Sequence, residues 1–340
     1  MEKFLAPFID FVDKHFNINE HKFVFITSPK YEYGLRESHT VEFLHTDTDF
    51  VLLSEYFDLS DKIILHGLWR DKVNTLLCSN EEWMDKTYWV MWGGDFYHPE
   101  KYNDAHIQVI KKARWLVTHV VGDVQFVRDN YGATGEHISC LMYPSNIYHE
   151  RYHVTDHVTD HVTDHVTDHV TVGHPSINVL VGNSASSTNN HIDIFMKLLS
   201  FRSQNISIYC PLSYGDKNYA GFVASEGTRI FGDKFFPVFD FVSKEQYLDF
   251  LNKMDMAIFN HRRQQAMGNM IALLGMGKIV YMRKDVSTWS MFQQYGIKVF
   301  DFNDLSIDWN RVCVDSNIEM VKKTFSEENL VKDLTVLFGK

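Results

Sequence analysis

Residues 176–199, SINVLVGNSASSTNNHIDIFMKLL, carry the pattern that decides the fold. The apolar residues at 177–181 predict a buried strand, and the small residues from Gly182 onwards predict a turn. An apolar period of three to four residues then predicts a helix that begins after Asn190. A strand, a small-residue loop and a helix start form a potential anion site, because free backbone N–H groups and the helix dipole face the loop. The stretch begins near the middle of the chain and therefore indicates a second domain of nucleotide-binding type.

The length and charge of the chain limit its class. Its 340 residues exceed the usual single domain of roughly 100–200 residues, so two domains are expected. The net charge is −11, from 33 basic and 44 acidic residues. This balance argues against a nucleic-acid partner and against general adhesion to anionic lipid.

Cysteine usage and the N-terminal residues bear on the compartment. The four cysteines are scattered and form no CxxC pair, so neither a disulfide framework nor a zinc site is indicated. Asp10, Asp13 and Lys14 interrupt the apolar residues near the N-terminus, unlike a signal peptide. No apolar run reaches the roughly 18–20 residues of a membrane-spanning helix. We expect a reduced, cytoplasmic protein.

Strand and helix patterns alternate along both halves of the chain. An amphipathic helix over 2–17 comes first; we favour packing on the first domain over lying on a membrane surface. Predicted strands cover residues 23–27, 50–53, 63–65, 88–91 and 115–119, then 178–181, 206–210, 256–259, 279–282 and 298–300. Predicted helices cover 105–112, 124–130, 191–200, 216–226, 244–253, 268–276 and 288–294. The class is therefore α/β, with two Rossmann-like parallel-sheet domains facing a cleft, an arrangement similar to GT-B glycosyltransferases and a few nucleotide-sugar epimerases.

A low-complexity segment separates the two halves. Residues 153–171 read HVTD four times and then HVT. Histidines at a step of four would align on a helix as metal ligands do, whereas Val and Thr favour extended backbone. We favour an interdomain linker over a metal-binding spacer. The predicted domains are 1–150 on the acceptor side, a linker at 151–175, and 176–340 for nucleotide-sugar binding.

Two motifs in the first half carry candidate catalytic residues. In YWVMWGGDFY, a strand runs into a Gly-Gly turn, and Asp95 follows at the sheet edge where ligands bind in α/β proteins. A carboxylate among Trp92 and Tyr97 suits general-base chemistry on a sugar hydroxyl, because burial raises its pKa and rings stack on sugar faces. A turn-forming, helix-capping role is equally open. His66, in IILHGLW, is expected at the same edge, as a substrate contact or as a structural histidine.

A third motif, MAIFNHRRQQAMGNMIALLGMGKIVY, lies in the second half. A strand leads into a polar loop that contains Arg263, Gln264 and Gln265, and a helix then starts near Gly268 and Asn269. The planar fork of arginine suits phosphate oxygens, and a helix start adds N–H donors. Two such junctions in one half predict a diphosphate held between residues 182–184 and residues 263–268, with a solvated basic loop as the alternative.

Other sequence signals are weaker or missing. Tyr214 follows a strand and can stack on a base or sugar, although an ordinary exposed turn is as consistent with the sequence. The sequence contains no GxGxxG, GxxxxGK[ST], HExxH or GxSxG motif, which weakens the dehydrogenase, P-loop, zincin and hydrolase classes. No DxD motif stands out, so a metal-bridged diphosphate is not favoured, and we expect neither a metal nor a cofactor.

In their order along the chain, these motifs resemble glycosyltransferase family 56 over about residues 61–305. The matching positions are His66-Gly67, WGGDFY at 92–97 where the family has WGADLY, Tyr143-Pro144, 180–184, Asn189, His191, Pro211, Tyr214, 263–265, Gly268, Arg283 and Trp289. The helix ahead of the first strand and the HVTD repeat are not part of the family pattern.

The resemblance implies an enzyme that moves a 4-amino-4,6-dideoxy sugar from a dTDP donor to a polyprenyl-diphosphate-linked saccharide; we expect it to act without a metal. It implies peripheral contact with the cytoplasmic face of the inner membrane, in common-antigen, O-antigen or capsule synthesis. Asp95 and His66 are the expected catalytic residues, and Trp92 and Tyr97 the expected acceptor contacts. The expected donor contacts are Gly182, Asn183, Ser184, Asn189, His191, Tyr214, Arg263, Gln264, Gln265, Gly268 and Asn269. A nucleotide-sugar epimerase and a non-catalytic protein that binds through the His-rich repeat are the alternatives.

Overall fold

A computed structural model describes residues 2–27, 34–149, 176–307 and 314–339. By its internal contacts the chain divides into two compact units. The first comprises Met1–Ile147, Arg263–Gln265 and Phe325–Lys340, and the second comprises Tyr148–Arg262 and Ala266–Thr324. The predicted domain ranges place the segments at 263–265 and 325–340 in the second domain. The predicted linker, with the HVTD repeat, lies outside the described residues.

The first unit alternates helices with short parallel strands. Its elements are α1 (Glu2–His15), β1 (Phe23–Phe25), β2 (Val41–Phe43), α2 (Asp49–Leu59), β3 (Ile63–Leu65), α3 (Asp71–Cys78), α4 (Glu81–Asp85), β4 (Thr87–Val90), α5 (Asp104–Lys112), β5 (Trp115–Val117), α6 (Val121–Tyr131) and β6 (Glu136–Ile138). Strands β3-β4-β5-β6 form a parallel sheet in that order, and β1 and β2 form a separate parallel pair. The core packs around Trp89, Phe96 and Leu116.

The second unit contains a six-stranded parallel sheet in the order β12-β11-β10-β7-β8-β9. Its elements are β7 (Ile177–Val181), α7 (His191–Leu198), β8 (Ile206–Pro211), α8 (Lys217–Phe231), β9 (Phe235–Val238), α9 (Lys244–Asn252), β10 (Met256–Phe259), α10 (Met267–Gly275), β11 (Ile279–Met282), α11 (Ser287–Gln294), β12 (Phe300–Asp301) and α12 (Asp315–Thr324). From β7 the chain proceeds outwards to β8 and β9, and then returns to the other side of β7 with β10. The strand order therefore reverses between β7 and β10, where doubly wound sheets bind their ligands.

The last helix, α13 (Glu327–Gly339), belongs to the first unit. The ammonium group of Lys62 donates to the carbonyl oxygens of Leu337 and Phe338 at 2.9 and 2.7 Å, and the Leu141 N–H donates to Asp333 at 3.1 Å. The Lys62 contacts link residues 275 and 276 positions apart, and the Leu141 contact links residues 192 positions apart, which explains why the sequence pattern alone does not assign the helix to this unit.

Most of the predicted elements occur within a few residues of their expected bounds, but the strand predicted at 50–53 is wrong. These residues lie in α2, where Leu53 and Phe57 are buried one helical turn apart. The Asp49 carboxylate accepts the N–H groups of His45 and Thr46 and fixes the start of the helix. A short apolar run suits a strand or a buried helix face, and the period of four decides in favour of the helix. Three strands and four helices were not predicted from the sequence: β2, β6, β9, α3, α4, α12 and α13.

Candidate functional site

The loop after β7 lies at the point where the strand order of the second unit reverses. Gly182 continues β7, and its N–H donates to the Ile258 carbonyl of β10 at 3.0 Å. Gly182 has a φ of +66°, and a Cβ there would lie 2.7 Å from Asn189 Oδ1 and 2.8 Å from His191 Nε2. Glycine is therefore required because two of the predicted site residues pack against its α-carbon.

Asn189 organises this loop from inside. Its Oδ1 accepts the Asn183 N–H at 2.9 Å and lies 2.8 Å from Nε2 of His261. Its Nδ2 donates to the carbonyl oxygens of Ser184 and Ser186, both at 3.1 Å. Because both polar atoms of the Asn189 side chain are engaged by these contacts, its role is to hold the loop.

The backbone of the loop is less available to an anion than the sequence predicts. The N–H groups of Gly182, Asn183 and Ala185 donate to Ile258, Asn189 and Tyr214, respectively. The start of α7 remains, because the first N–H groups of a helix have no carbonyl partner within the helix. Asn190 enters α7 with a φ of +51°, held by its Nδ2 bond to the Asn260 carbonyl at 2.7 Å. Anion binding here would depend on side chains and on the first turn of α7.

Two buried polar atoms at this reversal have no hydrogen-bond partner among the described residues: Nε2 of His191 and Oδ1 of Asn260. His191 opens α7 and Asn260 follows β10, so both lie at the carboxyl ends of the central strands. Nδ1 of His191 lies 3.1 Å from the Tyr219 hydroxyl, and burial lowers the pKa of His191 to about 4. A buried polar atom without a partner is costly, so these two atoms mark a place for a ligand or water.

Tyr214, Asn183 and Ser184 come together as the sequence predicts. The Asn183 amide donates to the Tyr214 hydroxyl at 2.8 Å, and Ser184 also bonds to that hydroxyl, while the Tyr214 ring is 43% exposed. Asn269, on α10, donates to the Tyr247 hydroxyl at 2.9 Å, and Gly268 precedes it on the same helix. Polar side chains and an exposed aromatic ring thus surround the loop after β7.

In the first unit, Asp95 is buried and fully engaged. Its Oδ2 accepts the Leu68 N–H at 3.1 Å and the Trp89 indole N–H at 2.9 Å. Its Oδ1 accepts the Trp92 N–H at 3.0 Å. Burial raises the pKa of Asp95, and these hydrogen bonds act in the opposite direction. The carboxylate joins the loops after β3 and β4, which favours positioning over general-base chemistry.

His66 lies at the end of β3, next to β4 in the parallel sheet, so it shares the carboxyl edge with the Asp95 loop. Its Nδ1 lies 2.6 Å from the Tyr143 hydroxyl, and the Trp92 ring packs against Tyr143 with centroids 4.9 Å apart. Burial lowers the pKa of His66 to about 4, so the imidazole is neutral at neutral pH. Nδ1 is thus engaged by Tyr143.

Tyr97, the other predicted acceptor contact, is bound by residues of α6 in the first unit. Its hydroxyl donates to Asp123 at 2.6 Å, and its ring packs on Phe126 with centroids 4.4 Å apart. Tyr97 therefore supports α6 and the WGGDFY loop, and Trp92 is the half-buried aromatic ring beside His66.

Residues 263–265 group with the first unit, not with the loop after β7. A Cβ at Gly93, whose φ is +76°, would lie 2.9 Å from both the backbone oxygen and Oε1 of Gln264. Arg263 Nη1 donates to the Gln264 carbonyl at 2.9 Å, while its buried Nε has no hydrogen-bond partner among the described residues. Arg263 thus offers an unused donor beside the Gly93 turn.

Sequence reasoning missed several residues at these two places. Trp69 is 37% exposed, its indole N–H donates to the His66 carbonyl at 3.1 Å, and its ring fills the space above Gly67 and Gly94. Trp69 is the last residue of the IILHGLW motif, so the sequence could have indicated it beside His66. Asn260 and His261 follow β10 directly, a position at which polar residues in parallel sheets are site candidates.

A DxD spacing occurs at Asp47 and Asp49, which the sequence analysis did not single out. The Asp49 carboxylate accepts the N–H groups of His45 and Thr46 ahead of α2, and Asp47 pairs with Lys72, so both carboxylates have protein partners. Within the described parts of the chain, no group of three or more His, Cys, Asp or Glu side chains could hold a metal ion. No helix among those residues is both long and apolar enough to cross a membrane.

Comparisons with known proteins identify the family and the fold of the chain. The sequence model of the family described as 4-alpha-L-fucosyltransferase glycosyl transferase group 56 matches residues 28–324. A glycosyltransferase from Rickettsia africae is 12% identical, with a TM-score of 0.61 over 98% of this chain and 94% of its own. HepE from Anabaena, in complex with UDP and glucose, is 11% identical, with a TM-score of 0.59 over 91% and 87%. Sucrose-phosphate synthase from Thermosynechococcus elongatus is 10% identical, with a TM-score of 0.54 over 86% and 77%.

The structural similarities establish a GT-B fold, because they extend over most of the chain at identities too low to carry more. The predicted α/β class with parallel sheets is therefore confirmed, as is the family resemblance. The family model matches both the WGGDFY loop and the loop after β7. Glycosyltransferases of this kind use a nucleotide-sugar donor and an acceptor. The chain belongs to glycosyltransferase group 56 and is a sugar-transferring enzyme.

Proposed function

We propose that the enzyme transfers a 4-amino-4,6-dideoxy sugar from a dTDP-linked donor to a polyprenyl-diphosphate-linked saccharide of a bacterial surface polysaccharide. It would act in the cytoplasm as a peripheral protein of the inner membrane. The observation that supports donor binding is the buried polar loop after β7, where His191 Nε2 and Asn260 Oδ1 have no hydrogen-bond partner within the described ranges of the chain. The family description, which names a fucosyltransferase, supports a deoxy sugar, and the UDP bound to HepE supports a nucleoside diphosphate.

The donor is expected to contact the side chains around this loop. Asn183, Ser184 and the exposed ring of Tyr214 provide polar and stacking contacts, and the start of α7 provides N–H donors for a phosphate. Gly182 and Asn189 shape the loop from beneath. His191 and Asn260 offer the two buried atoms that a hydroxyl or phosphate group of the donor could satisfy.

In the reaction, the bond between the sugar C1 and the diphosphate oxygen breaks, and C1 bonds to an acceptor hydroxyl oxygen. The diphosphate leaves with the bonding electrons, and the hydroxyl proton passes to a base or to water. We assign the acceptor hydroxyl to Nε2 of His66, which is neutral and whose Nδ1 is fixed by Tyr143. Asp95 holds the loops that carry His66 and Trp92, because all three of its hydrogen bonds go to groups of those loops and of β4.

The deciding experiment is a binding panel of dTDP, UDP and GDP, read by isothermal titration calorimetry on the full chain. We expect dTDP to bind at least tenfold more tightly than UDP or GDP, a difference of about 1.4 kcal/mol. Asn183→Ala should weaken dTDP binding, whereas Asn130→Ala, an exposed asparagine on α6, serves as the matched control. Preference for UDP or GDP would reject the proposed donor, and unchanged binding by Asn183→Ala would reject the loop as its site.

A transfer assay separates the proposal from an epimerase of similar fold. Incubation of the donor alone should leave the sugar unchanged, whereas addition of a polyprenyl-diphosphate saccharide should release dTDP. Isomerised donor without acceptor would favour the epimerase. We also propose that no metal is required; the same assay with EDTA should retain its rate, and loss of activity that Mg²⁺ or Mn²⁺ restores would contradict this.

A further inference from the structure

The first helix of the chain, α1, lies ahead of the family match yet touches the motif residues of the first unit. The match begins at residue 28, whereas α1 covers Glu2–His15. Phe4 and Phe8 occupy one face of α1, one turn apart. Their rings contact His66, Trp92 and Tyr143, which are the positions matched by the HG, WGGDFY and Tyr-Pro motifs.

The contacts of α1 with this cluster are close and directional. The Phe8 ring meets the His66 ring edge to face, with centroids 5.1 Å apart and planes at 67°. Phe8 also lies 5.9 Å from the Tyr143 ring, and Phe4 lies 5.0 Å from Trp92. Phe8 is only 3% exposed, so its ring excludes water from this side of His66.

The far end of α1 is anchored to α13 of the same unit. Lys14 and His15 contact the Glu327 carboxylate at 2.5 and 2.9 Å, and the ring of Phe16 packs on Phe338 with centroids 5.0 Å apart. Asp10 pairs with Arg36 and His39. These contacts fix α1 along its length and so hold the Phe8 ring in place beside His66.

We propose that Phe8 is a positioning residue of the transferase, which acts through His66: its ring holds the imidazole against Tyr143, excludes water from it, and leaves Nε2 toward the acceptor. The inference rests on the proposed role of His66. It also gives α1 a function in a family whose sequence pattern does not include this helix.

The pKa values of His66 and Tyr143 are consistent with the exclusion of water from this cluster. Burial alone lowers the pKa of His66, with no contribution from a charged neighbour. Tyr143 is the titratable group in contact with the His66 ring, and burial raises its pKa, with Asp95 and Cys140 acting in the same direction. Removal of the Phe8 ring should admit water and return the pKa of His66 toward its ordinary value.

The test compares Phe8→Ala with Phe11→Ala. Phe11 lies on the same helix and is 6% exposed, but its ring packs on His15 at 4.5 Å instead of on His66. The readout is the ring-proton titration of His66 by NMR, with the signal identified by its loss in His66→Gln. We expect no titration above pH 5 in the unmodified protein and in Phe11→Ala, and a midpoint raised by about one unit or more in Phe8→Ala. A Phe8→Ala titration identical to that of the unmodified protein would overturn the inference.

A second variant and a second readout complete the test. Phe8→Leu removes the ring but keeps part of the apolar volume, so a smaller upward shift of the His66 midpoint is expected there. If Phe8→Ala does not fold, that shift supports the inference and an unchanged midpoint rejects it. In the transfer assay, the acid limb of kcat/KM for the acceptor should move with the NMR midpoint in each variant. The NMR titration needs no substrate, so absence of transfer with dTDP-sugars would reject the proposed function while leaving the role of Phe8 to be decided by the titration.

Discussion

The side-chain oxygen of Asn189 lies 2.8 Å from Nε2 of His261, although the two residues are 72 positions apart. Asn189 belongs to the loop after β7, and His261 to the loop after β10. The contact therefore joins the two loops that flank the strand-order reversal of the second unit. Both side chains are buried, and the Asn189 amide also holds the carbonyl oxygens of Ser184 and Ser186.

Replacement of Asn189 should disorganise this loop. Asn189→Ala leaves buried donors and acceptors without partners, at about 1–3 kcal/mol for each uncompensated group. We expect a lower free energy of unfolding in urea and at least tenfold weaker dTDP binding. Asn130→Ala, which loses a single exposed hydrogen bond to the Phe126 carbonyl, should change neither quantity appreciably. Unaltered stability of Asn189→Ala would show that the network has little energetic weight.

Asp95→Asn separates a positioning role from a general-base role. Both carboxylate oxygens accept N–H groups, so the new amide NH₂ must face a donor in either orientation. We expect a loss of about 1–3 kcal/mol in the free energy of unfolding, with kcat reduced less than a hundredfold. Asp129→Asn, on the exposed face of α6, is the control. Unchanged stability with a larger loss of kcat would restore Asp95 as the base, since general-base catalysis contributes roughly 10²–10⁴-fold.

Arg263→Ala tests the predicted diphosphate contact. The buried Arg263 Nε has no hydrogen-bond partner in the part of the chain that the structure describes, and a guanidinium fork matches phosphate oxygens. We expect about tenfold weaker dTDP binding by calorimetry, equivalent to about 1.4 kcal/mol. Arg262→Ala is the matched control, because Arg262 is the exposed neighbour of the same type. If Arg263→Ala bound dTDP as tightly as the unmodified protein, the diphosphate assignment would fail.

The alternation of strands and helices was predictable because each element carries a local pattern. The strands at 63–65, 256–259 and 279–282 have the predicted bounds, since each is a short apolar run followed by a turn or polar residue. The strand prediction at 50–53 was wrong because four consecutive apolar residues do not distinguish a strand from the buried face of a helix. β9 was missed because Pro237 interrupts it, which is tolerated because β9 is an edge strand of the sheet.

The sequence predicted which residues of the loop after β7 lie together, but it did not predict their contacts or include Trp69, Asn260 and His261. Asn183, Ser184, Asn189 and His191 do lie together, because a loop between a strand and the next helix keeps its residues close. The side-chain directions depend on contacts from distant segments, such as His261 toward Asn189 or Tyr143 toward His66. The assignment of residues 263–265 to the first unit likewise depends on packing against Gly93, which no local pattern contains.

Backbone strain at Ala266 gives a stability prediction. Ala266 precedes α10 with a φ of +58°, a region in which a Cβ costs roughly 1–2 kcal/mol. Ala266→Gly removes the strain but increases the entropy of the unfolded chain, so we expect a net stabilisation of about 0.5–1 kcal/mol. Ala224→Gly, inside α8, should instead destabilise by about 1 kcal/mol or more. The two variants are compared by urea unfolding, and a destabilised Ala266→Gly would contradict the prediction.

His191 should make stability depend on pH between its unfolded and folded pKa values. Burial lowers the pKa of His191 from 6.5 to about 4, so the unfolded chain binds a proton that the folded protein does not. Its contribution to stability is therefore fully present above pH 6.5 and decreases as the pH falls toward 4. One proton corresponds to about 1.4 kcal/mol per pH unit, and His66 and His119 add slopes of the same sign. His191→Gln should reduce the slope of the unfolding free energy with pH by up to this amount, measured by urea unfolding from pH 7 to about pH 5. An unchanged slope would mean that the pKa of His191 is the same in the folded and the unfolded chain.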